Sequence, residues 1–340
     1  MVLAIATLLV LTAMAGALAL WLVQPERRHI LRWSRRFAVG GCGLCAVCLV
    51  VISATQDQPT PQAASTSSSA PASLSQVLRL VAQAPSIRQV PTDLDPPLGT
   101  SYRAALGYPP SECIQAIPAH SVPACVFGDL TGRRTVVLYG DSHAGMWFDA
   151  LDGIAKSDGW KLVVLFKESC PASTVPVLYL RTEFASCDRW HASVIKRIDA
   201  LDPDVLVISQ QVYMSPRNAR YAPKAWTDAL ASLLRTVHAR RKVVIGDIPG
   251  TGGPGCVSSD PNDVGACAVP VEAELYAPYV EAERVAAREA GATYISTWPW
   301  FCTTVCPVVI GHYDVYADPT HVSGAYAGFL REVLAQKLNL

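Results

Sequence analysis

Five short stretches of the chain are apolar almost without interruption: residues 136–139, 162–166, 205–208, 243–245 and 293–295. A strand with one wet face alternates polar and apolar side chains. A continuous run suits a strand buried on both faces, as in a parallel sheet. Helical spacing alternates with these runs, at 145–157, 188–200, 224–239, 276–290 and 323–337. Strand and helix in turn, joined by right-handed crossovers, predict an α/β fold: a three-layer α/β/α sandwich around a central parallel sheet. In open sheets of this kind ligands bind beyond the carboxyl ends of the strands.

The first run leads into "VVLYGDSHAGMW". Gly140 permits a tight turn, and Ser142 then stands just past the strand's carboxyl end. There the first N–H groups of the following helix favour a developing negative charge. A serine nucleophile needs a base, and the base needs a group to orient it. The stretch "YADPTHVSG" offers both, with Asp318 and His321 three residues apart before the last helical pattern. Ser, Asp and His in that chain order are the parts of a Ser-His-Asp triad. The same residues also suit plain structural work. Asp141 or Ser142 can cap the next helix, Asp318 can cap the last one, and His321 then lies at the surface.

Outside these elements the composition is uneven. Overall the chain is 51% apolar and 16% charged with zero net charge, which excludes a nucleic-acid footprint and a disordered chain. The apolar excess lies at the start. Residues 1–23 carry no charged side chain and would reach ~35 Å as a helix; residues 37–54 would reach ~27 Å. The loop 24–36 between them holds Arg27, Arg28, Arg32, Arg35 and Arg36 against Glu26. The positive-inside rule puts that loop in the cytoplasm, so residues 1–54 read as two transmembrane helices and the rest of the chain faces outward. A cleaved signal peptide is the competing reading of the first run, which lacks the basic start such a signal needs. Residues 55–76, rich in Ser, Ala, Pro and Gln, read as a linker, and 77–340 as an extracytoplasmic domain held at the cell membrane.

Cys42, Cys45 and Cys48 fall in the second apolar run as small fillers. The other eight cysteines come in close pairs: Cys113 and Cys125, Cys170 and Cys187, Cys256 and Cys267, Cys302 and Cys306. In an exported domain this predicts four local disulfides, although the last spacing alone would also suit zinc.

"YGDSHAGMW", "KESCPAS", "CDRWHASVIKRIDALDPDVLVIS", "VVIGDIPG" and "CPVVIGHYDVYADPTHVS" together resemble the SGNH/GDSL hydrolase superfamily. Within it they resemble the SGNH domain attached to acyltransferase-3 membrane proteins, which modify bacterial surface polysaccharides. The likeness covers most of residues 107–330, and "LVQPERR" is similar to the end of the acyltransferase-3 membrane domain. The many other helices of that domain are not in these 340 residues. That implies either a separate acyltransferase-3 membrane protein as acyl donor or a domain acting as an esterase.

The resemblance implies Ser142 as nucleophile, with Asp318 and His321 completing the triad. It implies an oxyanion hole from the N–H of Ser142, the N–H of Ser169, where the family has glycine, and the side chain of Gln210, where it has asparagine. His143 and Gln211 are candidate substrate contacts, although the His143 side chain, directly after Ser142, is expected to point away from the site. His191 and His312 read as packing or surface residues, and Asp247 as a turn residue. Trp298 and Trp300 suit either a sugar platform or a disulfide-pinned loop. Residues 250–255 lack the ending of a phosphate loop and read as a mobile loop beside the cleft. The function implied is a membrane-anchored serine O-acyltransferase that moves acetyl onto a cell-surface glycan. A carbohydrate O-acetylesterase with the same triad is the alternative, and a non-catalytic glycan-binding or scaffolding module is the alternative from another class. None requires a metal, a cofactor or a nucleic acid.

Overall fold

The computed structural model describes residues 72–123, 125–212, 223–273 and 277–340. The two apolar runs, the basic loop and residues 55–71 lie outside the described residues. Among the described residues no helix is long and apolar enough to cross a membrane.

Seven strands make one sheet: β1 (Ile114–Gln115), β2 (Val126–Gly128), β3 (Arg134–Gly140), β4 (Trp160–Lys167), β5 (Val205–Ser209), β6 (Arg241–Ile245) and β7 (Thr293–Ile295). Their order is β1-β4-β3-β5-β6-β7, parallel throughout, with β2 antiparallel on the remaining length of β4. From β3 the chain moves outward to β4 and then returns to the other side of β3 as β5. The strand order therefore reverses at β3, and a crevice opens at its carboxyl end.

Helices that pack on the sheet or extend its strand ends are α1 (Leu74–Gln83), α2 (Ser142–Gly145), α3 (Phe148–Asp158), α4 (Ala185–Leu201), α5 (Pro223–Thr236), α6 (Ala277–Glu289), α7 (Gly324–Phe329) and α8 (Arg331–Leu338); short helical segments at Tyr102–Ala105 and Gly253–Ser259 lie in the loops. Alternate strand residues sort them into two layers. Val136, Leu138, Leu162, Val164 and Val207 face one core with side chains of α1, α3, α7 and α8. Val137, Tyr139, Val163, Leu165 and Leu206 face the other, against Trp190 and Val194 of α4, Leu230 and Leu234 of α5 and Ala286 of α6. Each fully buried aliphatic side chain contributes roughly 1.5–3 kcal/mol, which explains why both faces had to be apolar.

The expected strands and helices are all present, with differences at their ends. α1 starts at Leu74, three residues inside the stretch read as linker, because the Ser73 side chain caps it and Val77 and Val81 are buried. The helix expected from 145 begins earlier, as the single turn α2, and is renewed at Phe148 after the buried Trp147. The helix expected over 323–337 is likewise two segments, α7 and α8. All four cysteine pairs are disulfides, including Cys302–Cys306, so that pair is not a zinc site.

One buried carboxyl lies in a small hairpin (Val309–Ile310 with Tyr313–Asp314) beneath the C-terminal helices. Asp314 is 2% exposed, and its Oδ1 has no hydrogen-bond partner. Burial, opposed by the Tyr316 N–H, pushes its carboxyl up from 3.8 to about 7. The unfolded chain releases this proton near pH 4 while the folded protein keeps it. The stability is therefore fully present below 3.8 and lost as pH rises through about 7. Asp314→Asn is expected to stabilise the fold by on the order of 2 kcal/mol at pH 8 and by much less at pH 5, read as the shift in Tm. Equal shifts at both pH values would contradict the assignment.

Candidate functional site

Gly140 ends β3 where β3 and β5 lie closest. A Cβ there would sit 1.8 Å from the carbonyl oxygen of Ser209, so only glycine lets the two strand ends meet. Asp141 follows, buried, and ties two N–H groups into the corner. Its carboxylate accepts from His143 N at 2.9 Å and, through both oxygens, from Gln211 N at 3.1 Å. The capping role expected of Asp141 is thus real, and it also staples the end of β5 to the turn. Burial raises the Asp141 carboxyl to about 6, against the pull of His143 and of the N–H groups.

Ser142 opens α2 and is half-buried. Its carbonyl oxygen accepts from the Tyr108 hydroxyl at 3.0 Å. A single turn has little macrodipole, so an anion at Ser142 would be met by individual N–H groups rather than by a long helix. Among the described residues the N–H of Ser142 makes no hydrogen bond.

Asp318 and His321 are brought together. Nδ1 of His321 lies 2.9 Å from each carboxylate oxygen of Asp318, and the same carboxylate accepts from the N–H groups of Thr320 and His321 at 2.8 Å. These bonds make the Asp-Pro-Thr-His loop a rigid turn. Ser323, not Asp318, caps the helix that follows. Burial would raise Asp318, but the His321 ring and the two N–H groups hold it down at about 2. His321 is buried, and among the described residues its Nε2 has no hydrogen-bond partner. Burial and the charge of His143 lower its pKa below 6.5, against the opposing effect of Asp318.

Ser142 and His321 share one corner. The ring of His143, next in the chain after Ser142, lies 4.5 Å from the His321 ring. Tyr108, bonded to Ser142, has its ring 6.4 Å from that of His321, and Tyr102 stands edge-on at 5.7 Å. Among the described residues no hydrogen bond joins the Ser142 hydroxyl to His321.

The residues expected at an oxyanion hole divide. Ser169 lies in the turn after β4 with φ +59°, the left-handed region that favours glycine, and its N–H is bonded to nothing among the described residues. Gln210 is fully buried and committed elsewhere. Its Oε1 accepts from Ser173 N at 2.7 Å and its Nε2 donates to Glu283 Oε1 at 3.0 Å. Gln211 is half-buried, and its side chain has no bonded partner among the described residues.

Three residues were underestimated by sequence reasoning. His143 does not point away from the site: it is 1% exposed, with Nδ1 2.5 Å from Asp247 Oδ1. Asp247 does shape the turn after β6, accepting from Ile248 N and Val212 N at 2.9 Å, but it also anchors this imidazole. Glu283, on the buried face of α6, accepts from Asp247 N at 3.3 Å, and burial beside Asp247 raises its carboxyl well above the usual range. Its place among the buried Tyr279, Ala282, Ala286 and Ala287 was the signal that a charged residue faced inward.

Several other residues are placed elsewhere. Trp300 is core, 6.5 Å from Trp147, whereas Trp298 donates from Nε1 to the Asp247 carbonyl, so the two form no common platform. His191 is a packing residue bonded to the Pro171 carbonyl, and His312 stacks on Tyr313. Cys170, Cys187 and His191 cluster, but both sulfurs are in the disulfide. The glycine-rich loop runs beside the cleft and becomes helical at Gly253, where a Cβ would press on Pro319 and Asp318.

A family model described as "SGNH domain (fused to AT3 domains)" matches residues 112–336. No curated protein matches the chain. Among solved structures, the periplasmic domain of a lipopolysaccharide acetyltransferase from Salmonella ser. Paratyphi A is 17% identical over 62% of this chain and 86% of its own, with a TM-score of 0.49. The lipase/acylhydrolase from Enterococcus faecalis is 13% identical over 60% and 95%, with a TM-score of 0.38.

The left-handed backbone at Ser169 costs a residue other than glycine ~1 kcal/mol. Ser169→Gly should raise stability by about 0.5–1 kcal/mol in denaturant unfolding, and Ser169→Val should lower it. A loss of stability in the glycine variant would refute this backbone assignment.

Proposed function

Since the chain belongs to the family of SGNH domains fused to acyltransferase-3 domains, an enzyme family of the SGNH type, we propose that it is an extracytoplasmic serine O-acyltransferase acting on a cell-surface glycan. The observation that carries this reading is the Asp318–His321 pair. A carboxylate bonded to Nδ1 fixes the ring and its tautomer, and leaves a partnerless Nε2 in the corner that holds Ser142.

In the proposed reaction His321 Nε2 takes the proton from the Ser142 hydroxyl as Oγ attacks the acyl carbonyl carbon. The oxyanion is held by the N–H groups of Ser142 and Ser169. Because Gln210 is occupied, the third donor is the side chain of Gln211, whose own N–H fixes it to Asp141 beside the nucleophile. One such donor is worth ~3 kcal/mol of barrier. The intermediate collapses, the leaving group departs with the proton from His321, and Ser142 carries the acyl group. A sugar hydroxyl then gives its proton to His321 and attacks the acyl carbon, forming the new ester and restoring Ser142. A cavity of about 210 Å³ beside Tyr108, lined by Arg103, Leu106, Pro109, Ser111 and Ile114, is the entry proposed for this acceptor. An acyltransferase-3 membrane domain supplies the acyl group in this scheme. The apolar runs of residues 1–54 hold the enzyme at the membrane, and the four disulfides suit an oxidising compartment.

With an activated acetyl ester, Ser142→Ala should lower turnover by about three orders of magnitude or more while circular dichroism is unchanged. Acetyl recovered on an added sugar acceptor supports transfer; acetate alone, at every acceptor concentration, makes the protein an acetylesterase. No turnover in either protein, or equal turnover in both, overturns the serine mechanism. Burial lowers His321 below 6.5, so activity should persist to more acidic pH than an ordinary imidazole base allows.

A further inference from the structure

The site contains two histidine–carboxylate pairs rather than one. His321 is held by Asp318, and His143 is held by Asp247 at 2.5 Å. The two imidazoles meet at 4.5 Å with their planes tilted by 56°. Both rings are buried, and among the described residues neither Nε2 has a hydrogen-bond partner. An ordinary turn residue would not need a buried carboxylate that is itself bonded to two further N–H groups and backed by Glu283. We propose that His143, fixed and kept protonated by Asp247, is a positioning residue for His321: its cation holds the neighbouring imidazole neutral, and its ring limits how that imidazole can turn.

The surroundings of both rings bear on the charge argument. His321 faces Asp318 and Thr320 of its own loop, His143 of α2, and Tyr102 and Tyr108 of the preceding segment, with Asp247 behind His143. His143 faces Asp247 most closely, then Asp141 and Asp318. Its pKa is raised despite burial, chiefly by Asp247, whereas burial and the charge of His143 lower that of His321. Like charges in contact disfavour each other, so the proton that arrives first on His143 keeps the second off His321. A base loaded in this way stays free at lower pH. Once it has taken the serine proton it is also a stronger acid, which favours passing that proton to the leaving group.

The inference rests on reading His321 as the general base, and the experiment separates the two. The imidazole C–H signals of the intact protein are followed by NMR across pH, and kcat/KM for an acetyl ester is measured over the same range. His143 should remain charged through the pH at which His321 titrates. His143→Phe should move the acidic limb, and the His321 titration, upward by about one pH unit, since the Asp247 charge is then bare. Asp247→Asn should move it less, and the double variant should return it toward wild type, a rescue that a merely structural role would not give. His143→Gln, which keeps a hydrogen bond to Asp247, serves if the phenylalanine variant does not fold. A neutral His143 in the wild-type titration, or a His321 titration unmoved in these variants, overturns the proposal. Full turnover by Ser142→Ala would instead overturn the serine mechanism, while the coupled titration of the two histidines would stand.

Discussion

One buried carboxylate, that of Asp141, holds the site in register. β3 and β5 are parallel neighbours whose carboxyl ends diverge into different loops, and nothing in the ladder obliges those loops to stay together. Asp141 accepts N–H bonds from both, from His143 on one side and Gln211 on the other. Gly140 makes the approach feasible by offering no Cβ to Ser209. Ser142, the turn that carries His143, and Gln211 all take their positions from this junction. Its cost is a carboxyl taken out of water, visible in its raised pKa.

Behind that junction lies a chain of buried polar groups: His143, Asp247, Glu283, Gln210 and Ser173, each bonded to the next through a side chain or the backbone. Buried acids of like charge are tolerable only when protons and N–H donors are distributed among them. The raised carboxyl of Glu283 and the raised imidazole of His143 are that distribution. It couples α6, on one face of the sheet, to the loop that carries Ser142, so residues far from Ser142 in sequence bear on its surroundings.

The sheet was legible because burial on both faces leaves a one-dimensional trace: β3 to β7 each contain an uninterrupted apolar run. The Asp318–His321 pair, and its place near the corner of Ser142, was anticipated because a serine, a carboxylate and an imidazole at strand and helix boundaries form an unusual combination. The direction of a side chain is not written in one dimension. His143 was expected to point away from the site, yet the turn after Gly140 swings it inward to Asp247. Gln210 was expected at the oxyanion hole, but a buried amide takes whichever partners it can reach, and here they are Ser173 and Glu283. Tyr102 and Tyr108 come from a segment without periodic pattern, so only the tertiary structure places them at His321.

The disulfides bear on how such a molecule is made. Each joins cysteines no more than 17 residues apart, at separations of 12, 17, 11 and 4. β3, by contrast, meets β5 only after the whole of β4 and α4 has been laid down. Short loops close at little entropic cost, whereas parallel pairing across such distances is slow. Each cysteine therefore has its correct partner at hand as the chain emerges, before any strand has found its neighbour. Oxidation then records contacts local to the sequence and does not depend on the finished sheet, so an oxidising compartment can act on the emerging chain with few wrong pairs to undo.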